Sequence, residues 1–215
     1  MKYKAVLFDM DGTVLDTLDD LTDAVNASFR HFDLPVVERD LVSSSLGNGA
    51  AYLIRHCLPE TVSDEESDAV LSWYKDYYDA HCRIKTSPYP GIPELMQALH
   101  RQRIKLAIIS NKPDPAVQEL AAQFFPGLMD VVVGESAAVR RKPSPDSVLT
   151  AAGAMEVPVG QCVYIGDTEV DIQTAKNAGM DCITVTWGFR SRKELLKAGA
   201  SIIADTPEEL GVLLC

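Results

Sequence analysis

The fold is decided by a segment near the N-terminus, Ala5-Val6-Leu7-Phe8-Asp9-Met10-Asp11-Gly12-Thr13. Its four apolar residues are followed at once by acidic ones, which is the pattern of a buried strand that ends at a polar edge. Asp9 and Asp11 lie two residues apart, so extended backbone would place both carboxylates on one face, where they repel each other unless a cation intervenes. Oxygen ligands of this kind favour Mg²⁺. The segment therefore predicts a strand that leads into a magnesium site.

Similar short apolar runs recur along the chain and predict the strands of one sheet. They occupy residues 5–8, 106–109, 131–133, 162–165, 182–185 and 202–204. From residue 106 onward helix-like stretches alternate with these runs, at 115–125, 145–155, 171–178, 192–198 and 207–214, and a further helix is predicted at 93–103. The alternation predicts a parallel sheet. Because apolarity within the runs is continuous, both faces of the sheet should be covered, as in the doubly wound α/β architecture.

The first predicted strand is separated from the second by about 95 residues, whereas a crossover connection needs only about 10 to 12. The intervening chain has helical patterning at 18–32, 38–45, 50–58 and 64–82. We therefore predict an α-helical cap domain at residues 16–86, inserted into an α/β core formed by residues 1–15 and 87–215.

The composition excludes several classes of partner. The chain has 215 residues and a formal net charge of -11, which opposes binding to nucleic acid or to an anionic membrane surface. Membrane insertion is not expected either, since no stretch approaches the roughly 18 apolar residues of a membrane span. The five cysteines are widely spaced and form no CxxC pair, which suggests reduced thiols and a cytoplasmic protein. The same net charge would repel a phosphorylated ligand unless a metal ion and a lysine compensated locally.

Polar residues follow three of the predicted strands: Asp9 and Asp11 the first, Ser110 to Lys112 the second, and Gly166 to Asp171 the fourth. Ligands of open parallel sheets bind outside the carboxyl ends of the strands, so these clusters should converge if their strands are neighbours. A carboxylate after a strand is often only a helix cap or a turn former, and each cluster alone leaves that alternative open. Lys142, which precedes Pro143, is the candidate that would neutralise a phosphate.

Four segments resemble, in order, the motifs of the haloacid dehalogenase superfamily phosphatases: Asp9-Met10-Asp11-Gly12-Thr13, Ser110-Asn111, Lys142-Pro143, and Gly166-Asp167-Thr168 with Asp171. Two segments, Gly47-Asn48-Gly49-Ala50 and Ser110-Asn111-Lys112-Pro113, are most similar to the phosphoglycolate phosphatase group of that superfamily. The resemblance implies a Rossmann-like core, a small helical cap that closes over the site, and Mg²⁺-dependent hydrolysis of a small phosphorylated metabolite. The best candidate substrate is 2-phosphoglycolate.

The resemblance also implies residue roles. Asp9 would attack phosphorus and form an aspartyl phosphate, and Asp11 would act as general acid and then as general base. The implied metal ligands are Asp9, Asp11 through its backbone carbonyl, Asp167, and Asp171 as an outer or secondary ligand. The implied phosphate-binding residues are Thr13, Ser110, Asn111 and Lys142. The implied substrate loop of the cap is Gly47, Asn48 and Gly49.

Several alternatives stay open at this point. An inorganic pyrophosphatase, or a phosphosugar mutase or phosphatase, would share the motifs and differ in the cap. A noncatalytic phospho-binding or signalling module is the alternative of another class, although a phospho-receiver domain has its acidic pair at consecutive positions. The sequence does not decide between monomer and homodimer. It also leaves open whether Asp171 and Arg190 contact metal or substrate, since Arg190 could be a solvated loop charge.

Overall fold

The computed structural model describes residues 2–215 of the chain. Within that range the strands are β1 (Ala5–Phe8), β2 (Leu15–Asp16), β3 (Ser87–Pro88), β4 (Lys105–Pro113), β5 (Val131–Glu135), β6 (Cys162–Gly166), β7 (Asp181–Val185) and β8 (Ile203–Ala204). The helices are α1 (Leu18–His31), α2 (Arg39–Ser44), α3 (Ala50–Cys57), α4 (Asp64–His81), α5 (Ile92–Arg101), α6 (Asp114–Phe124), α7 (Asp146–Ala154), α8 (Glu169–Ala178), α9 (Arg192–Ala198) and α10 (Pro207–Leu214). A short 3-10 turn, Val159–Gln161, precedes β6.

Among the described residues, six strands form one sheet in the order β5-β4-β1-β6-β7-β8, and every neighbouring pair is parallel. The chain leaves β1 toward β4 and β5 on one side and later adds β6, β7 and β8 on the other. The strand order therefore reverses at β1, where a parallel sheet opens a crevice for ligands. The carboxyl ends of β1, β4 and β6 meet at this crevice.

The central strands are buried on both faces. One face of β1, β4 and β6 packs in a cluster with α7 and α8, and this cluster includes Leu7, Ile109, Tyr164, Val148 and Ala175. The alternate residues of the same strands are also fully buried, so helices cover the opposite face as well. The prediction of a doubly wound α/β core is confirmed.

Strand β4 is longer than the sequence pattern indicated. Ser110, Asn111 and Lys112 were predicted to follow a strand that ends at Ile109, but they lie inside β4, which continues to Pro113. The register of β4 against β5 shifts between Ile109 and Pro113, so a bulge admits the polar residues. A bulge re-aims side chains, and this one lies at the carboxyl end of β4, so the polar residues stay in the strand that borders β1.

The described chain forms two compact units, one of residues up to Leu15 with Pro88–Cys215, and the other of Asp16–Ser87. The second unit contains α1 to α4. Its longest helix, α4, begins with a capping box in which the Ser63 hydroxyl accepts from the Glu66 amide and the Glu66 carboxylate accepts from the Ser63 amide. The β2 and β3 strands were not predicted, because Leu15-Asp16 and Ser87-Pro88 do not form apolar runs like those of the other strands. Among residues 2–215 we find no helix with the length and apolarity that crossing a bilayer requires.

Candidate active site

The loop that follows β1 places Asp9 at the crevice. The Asp9 amide donates to the Ile165 carbonyl oxygen (2.8 Å), which continues the β1–β6 pairing, and the Met10 amide donates to Asp9 Oδ1 (2.7 Å). The Met10 carbonyl then accepts from the amides of Val14 and Leu15, each at 3.0 Å, so the chain folds back tightly. These bonds fix the orientation of the Asp9 carboxylate, which is only 5% exposed.

The loop that follows β6 supplies two further carboxylates. Asp167 is buried, with Oδ1 accepting from the Thr13 hydroxyl (2.8 Å) and Oδ2 from the Phe189 amide (2.8 Å). Asp171 is the third residue of α8, and its Oδ2 accepts from the Thr168 amide (3.0 Å) and the Thr168 hydroxyl (2.7 Å). Helix capping therefore directs Asp171 back toward the end of β6.

Asp9, Asp167 and Asp171 form the acidic cluster of the site. One carboxylate oxygen from each residue lies within 4.8 Å of the others, and all three residues are buried. Buried carboxylates at this separation repel one another strongly unless positive charge is supplied. The cluster can therefore hold a metal ion.

Lys142 supplies positive charge from the protein itself. Its Nζ lies 2.9 Å from Asp9 Oδ1 and 2.7 Å from Asp171 Oδ1, and it donates to the Tyr164 hydroxyl (3.1 Å). The backbone of Lys142 is held in turn by the Asn111 side chain, which accepts from the Lys142 amide (2.7 Å) and donates to the Lys142 carbonyl (3.0 Å). The Lys142 side chain is thus held both at its backbone end and at its ammonium end.

The predicted phosphate-binding residues differ in their hydrogen-bond partners. Ser110 Oγ accepts from the Lys112 amide (3.1 Å), which leaves the hydroxyl proton available for donation. The Thr13 hydroxyl and the Asn111 side chain are bonded to Asp167 and to the Lys142 backbone, respectively. Direct phosphate contact by any of these residues stays a prediction.

Asp11 lies beside a second ammonium. Lys112 Nζ is 2.9 Å from Asp11 Oδ1, and the two side chains are 5% and 19% exposed, respectively. The Asp11 carboxylate is the more open of the pair and is not a member of the three-carboxylate cluster. The predicted roles of Asp11, proton transfer by its carboxylate and metal binding by its backbone carbonyl, stay predictions.

Two carboxylates of the cluster, those of Asp9 and Asp167, hold protons more tightly than usual. Burial, reinforced by the charge of Asp171, raises the pKa of Asp9 well above its ordinary value and that of Asp167 to about 7. Burial alone would lower the pKa of Lys142, but Asp171 and Asp9 outweigh it and raise that pKa well above its ordinary value. Lys142 therefore stays cationic, and the metal-free cluster is short of positive charge.

Without metal, the free energy of unfolding should fall as the pH rises from about 4 to about 7. In that window the folded chain holds a proton on Asp167 that the unfolded chain has already released, since the ordinary pKa is 3.8. We expect Asp167→Asn to be more stable than wild type at pH 8 by about 3 kcal/mol, after allowing about 1 kcal/mol for a lost hydrogen bond. Urea unfolding in EDTA at pH 4, 6 and 8 measures the difference.

The exposed Asp76 on α4 provides the matched control for this test, because Asp76→Asn removes a carboxylate from the surface. A divalent cation should stabilise the wild type at pH 8 and leave Asp167→Asn unchanged. An Asp167→Asn variant that is less stable than wild type at pH 8 would show that Asp167 is satisfied without metal.

The structure brings together the predicted core residues, whereas Gly47, Asn48 and Gly49 lie in the other compact unit, between α2 and α3, with Gly49 as the N-cap of α3. Their role in reading the substrate stays a prediction. The sequence placed Lys112 in a converging cluster without giving it a role, and it did not assign Tyr164 or the Phe189 amide to the site. The position of Lys112 directly after Ser110-Asn111 was a local signal, while Tyr164 and Phe189 carried none.

Comparison with known proteins gives the family. A model of the haloacid dehalogenase-like hydrolase family matches residues 6–185. An N-acetylmuramic acid 6-phosphate phosphatase of Pseudomonas aeruginosa is 30% identical and aligns over 98% of this chain and 94% of its own. Phosphoglycolate phosphatase 1 of the same organism is 28% identical, over 96% and 78%.

A solved structure from Lactobacillus delbrueckii subsp. bulgaricus, named provisionally as a phosphoglycolate phosphatase, is 42% identical to this chain. It superposes with a TM-score of 0.95 and covers 100% of this chain and 99% of its own. The predicted resemblance to phosphoglycolate phosphatases of this superfamily is thereby confirmed. The chain belongs to the haloacid dehalogenase-like hydrolase family and is a phosphoric monoester hydrolase.

Proposed function

We propose that this hydrolase uses Mg²⁺ to cleave a small phosphate monoester, with 2-phosphoglycolate as the first candidate, through a phosphorylated Asp9. The observation that carries the proposal is the buried cluster of Asp9, Asp167 and Asp171, in which the Lys142 ammonium pairs with Asp9 and Asp171. A nucleophilic carboxylate, an acidic cluster suited to a metal ion and a fixed cation are the components that phosphoryl transfer requires.

The donor set fits Mg²⁺. It consists of carboxylate oxygens that are short of positive charge, and hard oxygen ligands suit this ion. We assign its binding to Asp9, Asp167 and the Asp11 backbone carbonyl. We assign Asp171 as an outer ligand, as the family resemblance implies; its Oδ1 accepts from Lys142 and its Oδ2 from Thr168. When bound, Mg²⁺ would neutralise charge on the phosphoryl oxygens.

The protein's own groups would then carry two steps. In the first, an Asp9 oxygen bonds to phosphorus while the bond to the leaving group breaks, and Asp11 gives its proton to the departing alkoxide. In the second, water attacks the phosphorus of the aspartyl phosphate, Asp11 accepts the proton of that water, and the bond to Asp9 breaks to release inorganic phosphate. The proximity of Lys112 to the Asp11 carboxylate supports a fixed position for this proton donor.

Binding of the phosphoryl group would fall to Lys142, the Ser110 hydroxyl and the polar groups around Asn111 and Thr13. Lys142 is 3% exposed and cannot leave the site without large rearrangement. A buried ammonium compensates locally for a net charge of -11, which would otherwise repel a phosphate.

A sugar phosphate is the second candidate substrate. The relative that acts on N-acetylmuramic acid 6-phosphate aligns over nearly the whole of both chains, so the similarity does not separate it from the phosphoglycolate phosphatases. The two substrates differ in their leaving groups, and we propose that the loop of Gly47, Asn48 and Gly49 recognises the leaving group and so selects the substrate.

Phosphate release across a panel of compounds tests both candidates. The panel contains 2-phosphoglycolate, N-acetylmuramic acid 6-phosphate, glucose 6-phosphate, nucleoside monophosphates and inorganic pyrophosphate. We expect phosphate release that depends on Mg²⁺ and is abolished by EDTA. For one monoester, kcat/KM should exceed that for pyrophosphate by about tenfold or more, and tenfold corresponds to about 1.4 kcal/mol of transition-state stabilisation.

The Asp9→Asn variant, purified in the same way, controls for contaminating phosphatases. Preference for pyrophosphate, or isomerisation of a sugar phosphate without release, would replace the proposed activity by one of the alternatives. No release from any compound, with Mg²⁺ bound, would favour a noncatalytic phospho-binding protein.

A further inference from the structure

The loop of residues 187–190, directly after β7, contacts both of the loops that carry site aspartates. The Trp187 indole Nε1 donates to the Thr13 carbonyl oxygen (3.0 Å), and the Phe189 amide donates to Asp167 Oδ2 (2.8 Å). Thr13 in turn donates its hydroxyl to the other oxygen of Asp167 (2.8 Å). Both carboxylate oxygens of Asp167 are therefore bonded to groups that this loop places directly or through Thr13.

Two glycines allow this close approach. A Cβ atom at Gly188 would overlap the Asp167 carboxylate and the Gly12 carbonyl oxygen. A Cβ atom at Gly12, which has a φ of 82°, would overlap Asp167 Oδ2 and the Phe189 ring. The backbones at Gly12 and Gly188 thus pack directly against the Asp167 side chain, and a methyl group at either position would have to displace it.

The far end of the loop is fixed by an ion pair. Arg190 Nε and Nη2 donate to the two carboxylate oxygens of Glu169, at 2.9 and 3.2 Å, and the Arg190 side chain is 9% exposed. Glu169 lies in the first turn of α8, the helix that carries Asp171. A bidentate guanidinium pair of this kind gives a defined geometry. Arg190 is therefore a buried anchor of the loop rather than a solvated surface charge.

We propose that residues 187–190 form a positioning loop, which holds the Asp167 carboxylate in the orientation in which it binds the metal ion. The proposal rests on the proposed function, in which Asp167 is a metal ligand. Outer groups that hydrogen-bond to a ligating carboxylate orient it, and their loss weakens metal binding without removing a ligand. Phe189 supplies the amide, Trp187 fixes Thr13, and Gly188 supplies the space.

Calorimetric titration of the metal-free protein with Mg²⁺ alone tests this, since it needs no turnover. We expect Gly188→Ala to raise the Kd for Mg²⁺ by about 10- to 100-fold, the usual effect of a lost outer-shell partner. Trp187→Phe removes the indole N–H and keeps an aromatic ring, and it should raise the Kd by about two- to tenfold, the worth of one hydrogen bond. Gly153→Ala on α7 is the matched control, because a Cβ there meets no atom within 4 Å.

Circular dichroism and thermal melting of each variant separate positioning from folding. A folded Gly188→Ala protein that binds Mg²⁺ with the wild-type Kd would overturn the proposal, even if its melting temperature fell. If Gly188→Ala does not fold, Trp187→Phe decides, and an unchanged Kd in that variant would equally overturn it. A wild-type protein that neither binds Mg²⁺ nor releases phosphate would instead overturn the proposed function, and the positioning role with it.

Discussion

The Asp9→Asn variant should lose turnover, with kcat lower than that of wild type by about 10⁴-fold or more, as happens when a covalent nucleophile is removed. Asparagine has almost the same shape, and its amide oxygen can still accept from the Met10 amide and from Lys142 as Asp9 Oδ1 does. It cannot, however, form the aspartyl phosphate. The substitution therefore removes the chemistry and keeps the surrounding geometry.

Folding and chemistry can be separated in this variant by two measurements. Because burial raises the pKa of Asp9, its replacement by a neutral group should leave the metal-free stability at pH 8 equal to or above that of wild type. Quenched wild-type reactions should contain a phosphorylated chain that hydroxylamine cleaves from the carboxylate, and the variant should contain none. The exposed Asp76→Asn is again the control. Wild-type turnover in Asp9→Asn would disprove the assignment of the nucleophile.

The sequence predicted the core strands well because their burial is visible locally. A strand covered on both faces is apolar at nearly every position. β1 and β6 appear in the sequence as apolar runs, and β7 as an apolar run that includes the β-branched Thr184, each within one residue of its observed bounds. Helices were also predicted at 192–198 and 207–214, and the structure shows that both are capped locally, by Ser191 and Thr206. Helices and strands that are stabilised by local interactions can be predicted from the sequence before the fold is known.

Contacts between distant segments could not be found in this way. The Asn111 side chain holds the Lys142 backbone across 31 positions, and Tyr164 reaches Lys142 across 22. Which side chains meet across a sheet depends on strand register and on bulges such as that in β4, and no single segment encodes them. The motifs therefore identified which residues belong to the site but not which of them hold the others in place.

The loop at 187–190 illustrates the same limit. Its residues lie after β7, two strands from β1, and their sequence contains no acidic cluster or nucleophile. Its contribution consists of a backbone amide, an indole N–H and the missing side chain of Gly188. Such groups become visible only when the segments they touch are known.

Lys142→Met is expected to have the second largest effect, a loss of activity of about 10²- to 10³-fold together with a loss of stability. Its Nζ lies between Asp9 and Asp171, and a fixed cation aimed at a phosphoryl group commonly contributes about that factor to kcat. Methionine fills much of the same volume but leaves the carboxylates of both residues buried without their partner. Removing one member of a buried ion pair typically costs about 3–5 kcal/mol.

The pH dependence of Lys142→Met distinguishes this explanation from simple loss of packing. The pKa of Lys142 is raised, so its ammonium is charged throughout pH 5–8 in the wild type and contributes no slope there. In the metal-free variant, buried Asp9 has lost the cation that lowers its pKa and is relieved by protonation, so the stability loss should be larger at pH 8 than at pH 5.

Added Mg²⁺ should restore part of the stability of Lys142→Met at pH 8, because it supplies positive charge to the same cluster. It should not restore the rate, because the ammonium that we propose to contact the phosphoryl group stays absent. Urea unfolding and steady-state kinetics, with the exposed Lys193→Met on α9 as control, measure both effects. Equal stability losses at the two pH values would show that Lys142 acts by packing, and wild-type kcat/KM would show that it does not bind the phosphoryl group.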